Sequence, residues 1–260
     1  MSGIIDVQKR ADLRNIAINQ VGIRDVRYPI KVQLRDNTIQ NTIATLAMMV
    51  GLTPEVKGTH MSRFMELIHR QQTALNVTSF KKLLVEMVQY LEATTGHITL
   101  SFPLFLNKKA PVSNTESLMD YQISFTGNIS PDKNEVNVKI LVPVTSLCPC
   151  SKEISAYGAH NQRSHITLTI RVNEDIALEE FITLLEKQGS CEVYGILKRS
   201  DEKFVTEFAY ENPKFVEDLV RDIALLISKD ARVSYYKIES ENFESIHNHS
   251  AYAMIESGKM

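Results

Sequence analysis

Cys148-Pro149-Cys150 and, twelve residues after the first thiol, His160 are the part of this 260-residue chain best equipped for chemistry. Thiolate and imidazole are apt ligands for zinc or another first-row cation, and a catalytic metal site keeps one position open for water. The spacing alone is weak, because structural zinc sites usually use Cys-x-x-Cys, and two small buried hydrophobes are the alternative reading of the pair. Context favours ligation. The tripeptide follows a strand-like run, and its proline stops the ladder so that both thiols project from a strand end. The polar loop Gly158-Ala-His-Asn-Gln-Arg163 then leads into the next strand, so a hairpin-like connection brings His160 back to Cys148.

His247-Asn248-His249 is a second cluster. In an extended segment, histidines at i and i+2 point to one side, which suits proton transfer or metal binding near neutral pH; an ordinary polar loop is the plain alternative. Two acids are open to two readings each. Glu202 lies in the charged stretch Arg199 to Lys203 and reads by default as part of a solvated loop between helices. Glu217 lies one turn into a helix with Arg221 four residues on, which is the spacing of an exposed ion pair. His165 lies on the non-core parity of its strand, His60, His69 and His97 have no clustered partners, and none of the four receives a role.

The elements that must hold these groups follow from hydrophobic period. Tyr28–Leu34 and Thr38–Val50 read as strands. Met61 to Ile68 and Phe80 to Leu91 read as amphipathic helices, the second capped by Ser79 and ended by Gly96. His97–Phe105 and Tyr121–Ile129 are strands joined by a turn-rich stretch. In the second half Val136, Val138, Ile140, Val142 and Val144 alternate without a break, as do Ile166, Leu168, Ile170 and Val172. A helix over Leu178–Leu185 stops at Gly189, another follows the Asn212-Pro213 pair, and Ser234–Glu239 and Ala251–Ile255 are short strands. Each half thus repeats strand, strand, helix, helix, strand, strand. The expected architecture is α+β, two antiparallel-sheet modules over residues 1–130 and 131–260, each sheet covered by two helices. Open sheet edges predict an oligomer.

Bulk properties narrow the function class. Hydrophobic residues make up 43% and charged residues 23%, an ordinary globular balance, and the net charge of −2 excludes the basic excess of a nucleic-acid coat. No apolar run is long enough to span a membrane, and the N-terminal residues carry charge where a signal peptide needs an apolar stretch. A cytoplasmic protein with reduced thiols is expected, since the cysteines number three. Neither a P-loop nor a dinucleotide-binding glycine motif occurs.

Five runs together, SLCPCSKEIS (146–155), GAHNQR (158–163), DEKFVTE (201–207), NPKFVED (212–218) and IHNHS (246–250), resemble the type IB GTP cyclohydrolases. The resemblance covers the second half densely and the whole chain in size and element order. It implies tandem tunnelling-fold modules in a homotetramer with active sites at subunit interfaces. It also implies conversion of GTP and water to 7,8-dihydroneopterin triphosphate and formate, the first step of folate and pterin biosynthesis. Carried over residue by residue, it makes Cys148, His160 and Glu202 ligands of a divalent metal, zinc, manganese or iron. Glu217 becomes the purine anchor, His247 and His249 the proton-transfer groups, and Cys150 a neighbour of the site. Lys152, Arg163, Lys198 and Arg199 flank these motifs as possible triphosphate contacts. A nitrile reductase of queuosine synthesis shares the fold, but its Glu-Ser-Lys-Ser segment is absent; a non-catalytic purine- or metal-binding module is the alternative outside enzymes.

Overall fold

The computed structural model describes residue 8, residues 11–71 and residues 73–258; the charged stretch at residues 1–10 lies outside them except for Gln8. Its elements in chain order are β1 (Ile18–Gln33), β2 (Ile39–Leu52), α1 (Met61–Arg70), α2 (Val77–Tyr90), β3 (Gly96–Lys109), β4 (Glu116–Ser130) and β5 (Lys133–Leu147). There follow α3 (Pro149–Ile154), β6 (Asn161–Val172), α4 (Leu178–Glu186), β7 (Cys191–Glu192), α5 (Arg199–Glu211), α6 (Val216–Ile227), β8 (Val233–Asn242) and β9 (Ala251–Ser257). Two compact units result. One takes the described residues of Met1–Phe102 with Ser124–Asn137 and Glu174–Ile176; the other takes those of Pro103–Ile123, Val138–Asn173 and Ala177–Met260. β3, β4 and β5 each supply residues to both.

The first unit carries the strand order β1-β2-β3-β4-β5. β1 pairs antiparallel with β2 and β2 with β3. Alternate residues Leu46, Met48, Val50, Ile98 and Leu100 are buried, as are Phe64, Leu67 and Ile68 of α1 and Phe80, Leu84 and Met87 of α2. Phe80 meets Phe125 at a centroid separation of 5.4 Å. Helix α2 starts one turn earlier than its apolar stripe indicates. Asn76 is the N-cap, accepting from the Ser79 amide at 2.7 Å while the Ser79 hydroxyl accepts from the Asn76 amide at 2.9 Å, so Ser79 is the second half of a capping box and not the cap. Gly96 does not end this helix either. It opens β3, where an added Cβ would lie 2.6 Å from Met87 Cε and 2.7 Å from Val88 Cγ1, so glycine is needed for the sheet to approach the helix.

The second unit has the order β3-β4-β5-β6-β8-β9, with β7 on β5. β6 pairs antiparallel with β8 and β8 with β9, while α6 packs across β8 and β9. Val138, Ile140, Val142, Val144, Ile166, Leu168, Ile170 and Ile238 are wholly buried, and Phe181, Ile182 and Leu185 of α4 and Leu219, Ile223 and Ile227 of α6 are buried with them. Each such side chain contributes about 1.5–3 kcal/mol on removal from water. Two helices break the expected repeat. α3 is a single short turn after the cysteines, and α5 occupies the charged stretch expected to be a loop. Its only buried residues are Asp201 and Ala209, so it has almost no apolar stripe to announce it. Asn212 consequently closes α5, and Phe215, not the Asn212-Pro213 pair, stands at the N-cap of α6.

Candidate active site

The backbone around Cys148 is held on both sides. Leu147 donates its amide to Ser190 Oγ at 2.9 Å, its carbonyl accepts from the Lys214 amide at 3.1 Å, and the Ser190 amide returns to the Thr145 carbonyl at 2.8 Å. β5 ends there because Pro149 has no amide to continue the ladder; it takes the first position of α3, with Cys148 as N-cap. The Cys148 sulfur accepts from the Ser151 amide at 3.5 Å. Cys148 is half-buried and Cys150 exposed.

The hairpin-like return to His160 is present. The Cys148 amide donates to the His160 carbonyl at 3.1 Å, and the His160 amide donates to Ser151 Oγ at 3.2 Å. Around the half-buried imidazole, Nδ1 lies 2.9 Å from Gln162 Oε1, 3.4 Å from Ser245 Oγ and 3.9 Å from a Glu244 carboxylate oxygen. No described residue hydrogen-bonds Nε2. This pattern, one ring nitrogen engaged by oxygen acceptors and the other bare, is the one that metal-bound histidines use. A soft thiolate and an imidazole with a free lone pair fit a divalent transition metal.

Glu202 belongs to α5. It sits exposed in the first turn of α5, and the rise of a helix puts it about 12 Å from Tyr210 near the other end. That other end is the one tied to α3, since Lys152 Nζ donates to the Tyr210 carbonyl and lies 4.5 Å from its ring centroid. Lys152 is thus engaged locally. Accordingly, no group of three or more His, Cys, Asp or Glu side chains among the described residues is arranged to hold a metal within one chain. Glu217 is exposed in the first turn of α6, and among the described residues it makes no ion pair with Arg221. His247 and His249 are exposed between β8 and β9 with their rings stacked, centroids 5.1 Å apart and planes 14° from parallel, so the side-by-side placement expected of them is realised. Arg163, Lys198 and Arg199 are exposed.

Three features escape a reading of sequence. Asp201, wholly buried, accepts from the amides of Val112 and Ser113, each at 2.8 Å, from Ser113 Oγ at 2.7 Å and from the Lys198 amide at 2.8 Å. Burial raises the pKa of such a carboxyl, but the bonds from Ser113, Lys198 and Val112 outweigh it and hold the group below the ordinary carboxylate range. This knot fixes the start of α5, and hence Glu202, to the β3–β4 turn. Lys108, second, bridges Glu186 at 2.6 Å and Glu192 at 2.7 Å, while the Tyr121 hydroxyl donates to Glu186 at 2.6 Å. Burial pushes the Glu186 carboxyl up against the pull of Lys108. The third is Gln162, 8% exposed, beside His160. For Lys108 and Gln162 the local signal was a polar residue on the inward parity of a strand; Asp201, on a helix, gave none, and its partners lie up to 89 residues away in the chain.

Whole-chain comparisons show the family. Residues 4–253 match the family model described as type I GTP cyclohydrolase folE2. The chain is 57% identical over 256 residues to "GTP cyclohydrolase FolE2" of Nitrosococcus oceani, covering 98% of this chain and 96% of that one, and 57% identical over 257 residues to the protein of the same name from Azoarcus sp., with the same coverage. Among solved structures, urate oxidase from Bacillus subtilis 168 matches with a TM-score of 0.50 at 8% identity, over 92% of this chain and 98% of that one, which shows a shared α+β tunnelling fold and no more. The chain belongs to the type I GTP cyclohydrolase folE2 family.

Proposed function

We infer that this chain is a GTP cyclohydrolase that converts GTP and water to 7,8-dihydroneopterin triphosphate and formate in folate biosynthesis. The observation that carries the inference is family membership over residues 4–253, a span that includes every proposed site residue. Cys148 and His160 are read as two metal ligands and Glu202 as the third. No group of three such side chains among the described residues is arranged to hold a metal within one chain, and the reading includes a homotetramer with interfacial sites, built from modules over residues 1–130 and 131–260. When bound, a divalent cation, zinc, manganese or iron, supplies Lewis-acid activation of water for attack on guanine C8 and then on the formyl carbon.

The chain's own residues do the rest. The Glu217 carboxylate accepts from guanine N1–H and from the 2-amino group, which orients the ring and rejects adenine, whose edge lacks that donor pair. Glu217 is free to do this, since it makes no ion pair with Arg221. His247 and His249, adjacent and exposed, deliver a proton to the ring nitrogen that leaves C8 and move protons during the later ribose rearrangement. Cys150 stands next to the thiol ligand. Arg163, Lys198 and Arg199 are cations free to meet the triphosphate, whereas Lys152 is occupied by Tyr210. No helix among the described residues is long and apolar enough to cross a membrane, in keeping with a cytoplasmic enzyme. The test is formate release from GTP before chelation, after it, and after adding back zinc, manganese or iron singly. Metal-dependent formate is expected; GTP binding without formate would make the chain a binding module.

A further inference from the structure

We propose that Gln162 is a positioning residue that locks His160 in the tautomer with its proton on Nδ1, so that Nε2 stays bare for the metal. The proposal rests on the reading of His160 as a ligand and adds what prepares it. The inward row of β5, β6 and β8 changes character near the site. Val144, Ile166 and Ile238 give way to Ser146, Gln162, Ser164, Ser240 and Asn242, none more than 8% exposed. Burying so many polar groups is costly unless they bond to one another, so their order is informative.

The order is a chain of contacts. Gln162 Oε1 faces His160 Nδ1 at 2.9 Å, Gln162 Nε2 donates to Ser146 Oγ at 3.1 Å, and Ser146 Oγ lies 2.7 Å from Ser164 Oγ. Ser164 is the cross-strand partner of Asn242, whose Oδ1 is buried with no hydrogen-bond partner among the described residues. An amide oxygen only accepts. That acceptor takes no bond from Ser164; the row ends at the Ser146–Ser164 pair, and the Gln162 amide is set by its own two contacts, nitrogen to Ser146 Oγ and oxygen to His160 Nδ1. The amide is thereby oriented with its oxygen toward His160, and the imidazole must donate from Nδ1. Of the other groups around Nδ1, the Glu244 carboxylate at 3.9 Å only accepts, and the Ser245 hydroxyl is able to accept. A flipped amide would turn its NH2 toward Nδ1, which would then accept, and the imidazole proton would move to Nε2, the atom the metal needs.

The experiment reads the tautomer directly. Long-range proton–nitrogen NMR on metal-free protein with nitrogen-labelled histidine, His160 being assigned through His160→Gln, is expected to show the proton on Nδ1. Gln162→Leu is expected to give mixed or Nε2-protonated imidazole and zinc affinity weaker by about 10–100-fold, measured by competition with a chromophoric chelator. Gln162→Glu, which keeps an acceptor opposite Nδ1, is expected to restore the tautomer and most of the affinity. Should Gln162→Leu fail to fold, Ser146→Ala removes the group that orients the amide and is expected to give mixed tautomers. Protonation on Nε2 in the wild type, an unchanged tautomer in Gln162→Leu or Ser146→Ala, or no rescue by Gln162→Glu overturns the proposal. If His160→Ala leaves zinc affinity intact while the tautomer responds as expected, the lock stands and the ligand assignment falls.

Discussion

Strand β6 has two ends with opposite inward rows. Ile166, Leu168 and Ile170 are wholly buried, as are Val138, Val142 and Ile238 on the neighbouring strands; Gln162 and Ser164 share their parity but lie with the polar Ser146 and Asn242. Both rows have the same parity and nearly the same burial. The apolar end gains from leaving water and tolerates imprecision in direction, because dispersion and the hydrophobic effect are non-directional. At the polar end each group keeps its stability only when a particular neighbour sits at hydrogen-bond distance. The contrast identifies hydrogen bonds, and not apolar burial, as what holds the corner with Cys148 and His160. It also separates two kinds of damage, loss of turnover at the polar end and loss of stability at the other.

The largest effect on turnover is expected from Cys148→Ala or His160→Ala, each of which should lose bound metal and formate release together while circular dichroism stays unchanged. Full activity in either variant would remove it from the ligand set and erase the distinction between the ends. Glu217→Gln replaces one acceptor by a donor facing a donor, and GTP turnover should fall by about 10³-fold or more with assembly and metal content retained. Arg221→Ala, for which no Glu217 pair exists to break, should change stability by less than about 0.5 kcal/mol and leave turnover alone. Equal, small effects of the two substitutions would take Glu217 out of the site.

His247→Ala should lower turnover on the order of 10²-fold with metal content preserved, and a pH–rate profile identical to that of the parent would assign the proton transfer elsewhere. Asp201 sharpens the comparison through pH. Its native pKa is lowered, so its contribution to stability is present above the unfolded value of about 3.9 and is lost as pH falls from there toward the native pKa. Asp201→Asn should therefore be less stable than the parent at neutral pH, and chemical denaturation at a series of pH values should show the difference shrinking below about pH 4. A constant difference would mean that the carboxylate charge is not what the knot uses. Leu168→Ala, at the apolar end, should have the smallest effect on turnover per folded molecule and yet cost about 2–5 kcal/mol of stability by leaving a cavity.

The fold was legible where the hydrophobic period was strong. Val136 to Val144 and Ile166 to Val172 alternate in sequence and are strands with alternate side chains buried, and the stripes of α1, α2, α4 and α6 were visible for the same reason. α5 was not, because a helix that buries only Asp201 and Ala209 is held by a carboxylate knot and helix-end contacts, and such bonds leave no period. The cap of α2 was misplaced by one turn because Asn76 and Ser79 are both good capping residues and only geometry distinguishes donor from acceptor roles.

Sequence alone determined the α+β class, the family, and the cysteine, histidine and glutamate residues on which the chemistry is proposed to rest, since residue type and local spacing carry that information. Tertiary structure decided which of them meet. It joined Cys148 to His160 through a backbone bond, set the two histidines of 247–249 ring to ring, held Glu202 at the far end of α5, and aligned Ser146, Gln162, Ser164 and Asn242 from three strands. Hydrogen bonds are short-range and directional, so their partners depend on strand register and chain return, and neither is written in the local sequence.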